Sequence, residues 1–394
     1  MRVPRVQTGL DLLARDGFSA LRGLRVGLVS NPAGVDSRLR HAADLLDQAP
    51  NVRLAALFGP EHGFGGEAQD LIGVHDAVHP RYACPVFSLY GNSVESLRPR
   101  PESLRGLDAL IIDLPDIGSR YYTFQATMLF CLEAAVDADL PVVVLDRPNP
   151  LNGVTVEGPT IQPGYESFVG AHPIPTRHGL TLGELARLYV EERELKVAMH
   201  VVRCEGWSRG LYFDETSLPW VMPSPNMPTL DTAIVYPGQC LIEGTNVSEG
   251  RGTTRPFELC GAPWASPNRL ADRLRSAGVP GVTFRPVTFR PTFHKYEGQV
   301  CGGVQLHVTD RQSFRPVRTS LALLAALRAD GGDHFRWRSE PYEFVADKPA
   351  IDLLFGGSRE RLALQAGLTD EQIVRRWAED EAAFKARRER FLLY

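Results

Sequence analysis

The chain has 394 residues, 43% of them hydrophobic and 23% charged, with a net charge of −4. That length is enough for two domains, or for one large domain with an appendage, around a sizeable core, and the balance is that of an ordinary soluble protein. It excludes the basic footprint of a nucleic-acid partner, and no stretch reaches the ~18 consecutive apolar residues of a membrane span.

The opening "MRVPRVQTGLDLLARDGF" lacks the apolar core of a secretory leader, so as the sequence stands the protein is expected in the cytoplasm. A secreted chain trimmed of its leader would read the same. Five short apolar runs follow: "LRVGLVS" (24–30), "VRLAALF" (52–58), "PVFSLY" (85–90), "DALIIDL" (108–114) and "PVVVLD" (141–146). They lack clear alternation, as strands covered on both faces do. Between them Phe124, Met128, Leu132 and Ala135 fall on one helical face, and Thr181 with Glu184 has capping-box spacing at the start of another helix. Strand then helix, repeated, predicts an α/β class with a doubly wound, mostly parallel sheet over residues 1–205. Residues 206–265 are rich in Pro, Gly and Trp and are expected to be a loop-rich segment contributing to a cleft. Residues 266–394 return to regular patterns, with an alternating "GVQLHVT" and a final helix carrying Ile373, Trp377, Phe384 and Phe391. They predict a smaller α+β domain. The six cysteines are scattered without C-x-x-C spacing and are expected to be reduced and mostly buried.

Each expected strand ends in polar residues: Ser30 and Asn31, Glu61 and His62, Asp113 and Asp116, Asp146 and Arg147. A doubly wound sheet gathers such ends on one rim, where ligands bind. No phosphate-binding fingerprint follows the first strand, so a nucleotide cofactor is disfavoured. No H-E-x-x-H is present, and His62, His75 and His79 with Asp70 and Asp76 fit no metal template; no metal and no cofactor are expected. G-x-S-x-G is also missing, which weakens a serine-hydrolase reading. What remains are carboxylates in Gly- and Pro-rich loops: Glu157 in "DRPNPLNGVTVEGP", Arg177 and His178 in "IPTRHGLT", and Glu243, Asn246, Glu249 and Arg251 in "IEGTNVSEGRGTTRP". Acids with Asn, His and Arg in one cleft suit glycoside hydrolysis, in which one carboxylic acid protonates the leaving oxygen and a second group works at the anomeric carbon. Acyl or phosphoryl chemistry recruits the same residue types. Glu61 is the leading general-acid candidate, because it follows a buried strand and sits among glycines in "LFGPEHGFGG".

These motifs, together with "DLPDIGSRYYTF", "VVLDRPNPLNG", "SFVGAHPIPTRHGLTLGELA", "PSPNMPT" and the closing "FLLY", closely resemble the NamZ-like exo-β-N-acetylmuramidase family nearly end to end. The resemblance implies a Rossmann-like amino-terminal domain joined to a smaller carboxy-terminal one, with the site in the cleft between them. It implies release of N-acetylmuramic acid from the non-reducing ends of peptidoglycan fragments, with a peptidoglycan-derived saccharide as partner and no metal or nucleotide. Carried over, the motifs make Glu61, Glu157 and His178 the catalytic candidates. Asn31, His62, Asp116, Arg147, Arg177, Glu243, Asn246, Glu249 and Arg251 are then the substrate-binding candidates, with Arg251 the first choice for the lactyl carboxylate of muramic acid. Two rival readings are a non-catalytic binder of cell-wall sugars and an amidase or esterase using Ser30 or Ser119 beside His178.

Overall fold

The apolar runs of the first 150 residues pair with one another because each is too hydrophobic to leave either face in water. A computed structural model describes residues 6–69, 72 and 77–394. Its first sheet contains β1 (Arg25–Ser30), β2 (Arg53–Gly59), β3 (Ala77–Val78), β4 (Pro85–Ser88), β5 (Ala109–Asp113), β6 (Val142–Leu145) and β7 (Met199–Val202), in the order β3-β4-β2-β1-β5-β6-β7. Only β3 runs antiparallel; the other six are parallel. Every residue of β5 is buried, as a central strand flanked on both faces requires. All five anticipated strands form, while β7, short and only half-buried, carried too little apolar signal to be read.

Set β3 aside, and the parallel strands cross the sheet as third, second, first, fourth, fifth and sixth, the doubly wound order whose switch point lies between β1 and β5. The helix Phe124–Asp137 covers the sheet with most of its surface buried. The helix Leu182–Glu192 starts at the anticipated capping box: Thr181 Oγ1 accepts from the Glu184 N–H, and the Glu184 carboxylate accepts from the Thr181 N–H at 3.0 Å.

The second unit has an antiparallel sheet ordered β8 (Leu259–Ala262), β10 (Cys301–Val308), β9 (Val282–Phe289), flanked by helices Pro267–Ala277 and Pro316–Gly331. Within 206–265 two regular elements form, the helix Leu230–Gln239 and β8. The final helix expected through Ile373, Trp377, Phe384 and Phe391 is instead broken. Asp370–Val374 and Ala378–Arg388 are α-helical, and tighter turns at Arg375–Trp377 and Glu389–Phe391 interrupt them. Each tightened turn re-aims the chain, so all four side chains still reach the core. One apolar cluster runs through both units, joining Ile112, Leu129 and Leu185 to Leu241, Leu321 and Phe384. All six cysteines are unpaired and buried. Among the described residues no helix is long and apolar enough to cross a membrane.

Candidate active site

Glu61 stands two residues beyond β2, on a turn that the sequence forces. A Cβ on Gly59 would lie 2.3 Å from the Phe64 backbone nitrogen, so only glycine lets the chain double back there. His62 and Gly63 both take positive φ, 72° and 82°, and the Gly63 N–H closes the turn on the Pro60 carbonyl at 2.9 Å. The result buries Glu61 at 6% exposure. Its Oε2 accepts from the Thr123 hydroxyl at 2.6 Å, from the residue that opens the helix Phe124–Asp137. His62 lies beside it, with Nδ1 2.8 Å from the Ala68 carbonyl oxygen.

The opposite wall comes from the second unit. Glu243, in the turn after the helix Leu230–Gln239, accepts from Arg251 at 2.8 Å on Oε1 and from the Tyr342 hydroxyl at 2.7 Å on Oε2. Glu343 follows on a hairpin closed by Tyr342 and Val345, and its Oε2 accepts from the Tyr90 hydroxyl at 3.1 Å. Both Glu343 (φ 46°) and Phe344 (φ 67°) are left-handed without being glycine, a strain that persists only where surroundings enforce it. Tyr121, Tyr122, Tyr236 and Phe257 complete the walls, and Ser224 and Asn226 of "PSPNMPT" close another side. Three carboxyl groups and one guanidinium therefore share a narrow, aromatic-lined chamber with about 40 Å³ reachable by water.

The chamber unites Glu61, His62, Glu243 and Arg251 from the sequence candidates. Glu249 stands directly behind it, 3.5 Å from Arg251 Nε. Burial alone would push its carboxyl up, but Lys295, His294 and Arg251 around it outweigh that and hold it well below the usual range. The other candidates lie elsewhere. Glu157 sits where the two units join: Oε1 accepts from the Arg318 N–H at 2.9 Å, and burial pushes the carboxyl up to about 7 against that bond and Arg177. Arg177 pairs its backbone with Glu157 and donates to the Leu151 carbonyl. His178 is fully buried; Nδ1 accepts from the Leu180 N–H at 3.1 Å, and burial, reinforced by Arg388, Arg120 and Arg177, pushes it down to about 3. It is therefore neutral, with its Nε2 3.7 Å from Asp116.

Asp116 and Arg147 line a separate, proline-walled crevice at the β1/β5 switch point. Burial raises Asp116 to about 7 against the N–H groups of Gly118 and Ile117, and Arg147 grips Asp113 with two bonds of 2.6 and 2.8 Å. Asn31 bridges its own turn to the Pro223 carbonyl. Asn246 braces another loop, accepting from Arg336 N–H at 2.9 Å and donating to the His334 carbonyl at 2.8 Å. The alternative nucleophiles are not activated. Ser30 Oγ faces its neighbour's carbonyl, and Ser119 Oγ has no hydrogen-bond partner among the described residues.

Sequence reasoning missed Glu343, Thr123 and Tyr342. Thr123 and its tyrosine neighbours stood inside a quoted motif, but nothing in "EPYEFVAD" marks Glu343 except an acid between two aromatics. Among the described residues no group of three or more His, Cys, Asp or Glu is placed to hold a metal ion. Asp70, His75 and Asp76 lie outside the described residues; His79 stacks on Tyr82.

Two family models match the chain: exo-β-N-acetylmuramidase NamZ, N-terminal, over residues 26–231, and its C-terminal counterpart over 234–394. The chain is 44% identical over 391 residues to the peptidoglycan β-N-acetylmuramidase NamZ of Bacillus subtilis (strain 168), covering 99% of this chain and 92% of that one. Two crystal structures of DUF1343 family proteins from Bacteroides fragilis NCTC 9343 share the fold. One has a TM-score of 0.89 at 34% identity with both chains fully covered, the other 0.77 at 30% with 99% of each covered.

Proposed function

Since this chain belongs to the exo-β-N-acetylmuramidase NamZ family, we propose that its carboxylate chamber is where a terminal N-acetylmuramic acid is cut from the non-reducing end of a peptidoglycan fragment. The chain is a glycoside hydrolase. The observation that carries the site is the convergence of Glu61, Glu243, Glu343 and Arg251 on one aromatic-walled space, contributed by both units. Glycoside hydrolysis needs a proton donor at the leaving oxygen and a second carboxylate or an activated water at the anomeric carbon. Glu61 is the donor in this reading: among the described residues its side chain accepts one bond, from Thr123, which orients it through Oε2 and leaves Oε1 for the substrate. Glu243 or Glu343, on the facing wall, supplies the second carboxylate. Glu157 and His178 take no chemical part here and instead secure the joint between the units. The aromatic walls suit the apolar faces of a pyranose ring, and Arg251 is the candidate for the lactyl carboxylate.

The test is turnover of a MurNAc-GlcNAc disaccharide with products identified by mass. Glu61→Gln should fold normally by circular dichroism and lose on the order of 10²-fold or more in kcat, the usual worth of a general acid. Near-normal turnover would remove Glu61 from the chemistry, and a product lacking only an acyl group would replace glycosidase with deacylase.

A further inference from the structure

A second, wider cleft opens on the surface of the carboxy-terminal unit, with about 440 Å³ reachable by water. Three cationic side chains line it, Lys295, Arg336 and Arg338, with the imidazole of His294 beside them and one acid, Glu340. Two rings, Tyr296 and Trp337, stand among them, each only partly buried.

This cleft and the carboxylate chamber are lined by neighbouring stretches of the same two segments. Glu243 lines the chamber and Asn246 the cleft; Tyr342 lines the chamber and Ser339 the cleft. Each pair is three residues apart, so no more than ~10 Å of backbone separates the two spaces. Their charges are joined as well. The Glu249 carboxylate lies 3.5 Å from Arg251 of the chamber, and 3.1 and 2.9 Å from His294 and Lys295 of the cleft. The loop bearing those cations is tied to the chamber: the Thr292 N–H and hydroxyl both donate to the carbonyl of Gly252, next to Arg251, at 2.9 Å. On that loop His294 (φ 69°) and Tyr296 (φ 59°) are both left-handed. Two strained non-glycine residues so close in sequence mark a loop whose shape is enforced for a purpose.

A glycan cut from its end must run outward from the chamber. Its alternating units carry the lactyl carboxylate, so the next negative charge lies one disaccharide repeat beyond the ring being released. Stacking rings with the guanidinium groups of Arg336 and Arg338 at that reach match an anionic saccharide. We infer that the Arg336–Trp337 cleft binds the retained part of the glycan, its cations holding the lactyl carboxylate of the muramic unit one repeat beyond the cleaved bond. This rests on the chamber being the site of cleavage. The cleft would make the protein favour chains over the minimal disaccharide, without altering the chemistry.

The readout is the ratio of kcat/KM for the tetrasaccharide MurNAc-GlcNAc-MurNAc-GlcNAc to that for MurNAc-GlcNAc, measured within each variant. The wild type should favour the tetrasaccharide by about fivefold, the worth of one screened ion pair with a stacking contact, and the preference should shrink as salt rises. Arg336→Glu should bring the ratio to one or below, with Arg336→Lys retaining part of it. Converting the internal lactyl carboxyl to its methyl amide should have the same effect on the wild type. A wild-type ratio of one, or a ratio that Arg336→Glu leaves unchanged, overturns the inference. Failure of the chamber itself shows separately, as normal disaccharide turnover by Glu61→Gln.

Discussion

Thr123 holds Glu61 through one short bond in a setting with little water, and such a bond fixes where the carboxyl points. Thr123→Val keeps the volume and removes the donor; it should lower kcat about tenfold with little change in Tm, and Thr123→Ser should restore most of the rate. A Val variant with full activity would mean that the bond does not position the acid. Arg251 is more heavily committed, since Glu243 and Glu249 both lie against it and its guanidinium sits 5.0 Å over the Phe257 ring. Arg251→Met leaves two buried carboxylates short of a partner, so it should destabilise by about 3 kcal/mol or more and lose activity on muramic and glucosamine substrates alike. Specificity is therefore better tested with Arg251→Lys. That variant keeps the charge but gives up the two-pronged grip on a carboxylate, and it should reduce use of the muramic substrate more than use of its N-acetylglucosamine analogue. Equal losses from the lysine variant would assign Arg251 to the ion network alone.

At the scale of elements, β2 and the turn after it form the lever that aims Glu61. Gly59→Ala would push a methyl group against the Phe64 backbone and displace the turn, and displacement of a catalytic group by about 1 Å costs on the order of 10²-fold. Gly59→Ala should thus lose at least tenfold in kcat while its far-UV dichroism stays native; unchanged kcat would show that the turn tolerates the shift. This element was legible in advance, because an apolar run followed by acid, histidine and glycines dictates a strand and then a tight turn bearing the acid from local rules alone. The five strands and the helix cap at Thr181 were legible for the same reason. That Glu157 lies outside the chamber was not legible, because its Gly and Pro neighbours look the same whether they admit a ligand or another part of the chain. A Cβ on Gly158 would lie 2.8 Å from Thr176, so that glycine allows close packing at the joint. Glu343 was hidden for the opposite reason. It reaches the chamber through tertiary packing against Tyr90, 253 positions away, and no local pattern encodes that.

At the scale of the molecule, buried groups spread through both units couple folding to pH. Burial raises Glu157 and Asp116 to about 7, and Asp146 to about 6, all above the ordinary carboxyl values of an unfolded chain. A carboxyl with a raised pKa favours the folded state fully below its unfolded value and loses that contribution as pH climbs through the folded one. These three therefore weaken the fold between about pH 4 and pH 8. His178 acts in the opposite sense. Burial lowers it to about 3, so its contribution is complete above its ordinary value near 6.5 and is lost as the solution becomes more acidic. Glu249, held below the usual range, likewise withdraws support on acidification. Above about pH 4.5 the three carboxyls outweigh the one histidine, so together these groups place the stability maximum on the acid side, at about pH 4. Glu157→Gln keeps an acceptor for the Arg318 N–H but has no proton to lose, so it should flatten the alkaline limb by on the order of 3 kcal/mol at pH 8 and leave the acid limb alone. Urea unfolding of both proteins at half-unit steps from pH 4 to 8 measures this directly. If the two curves run parallel throughout, Glu157 is already ionised in the joint over this range, and the bond from the Arg318 N–H with the attraction of Arg177 must outweigh the burial that opposes them.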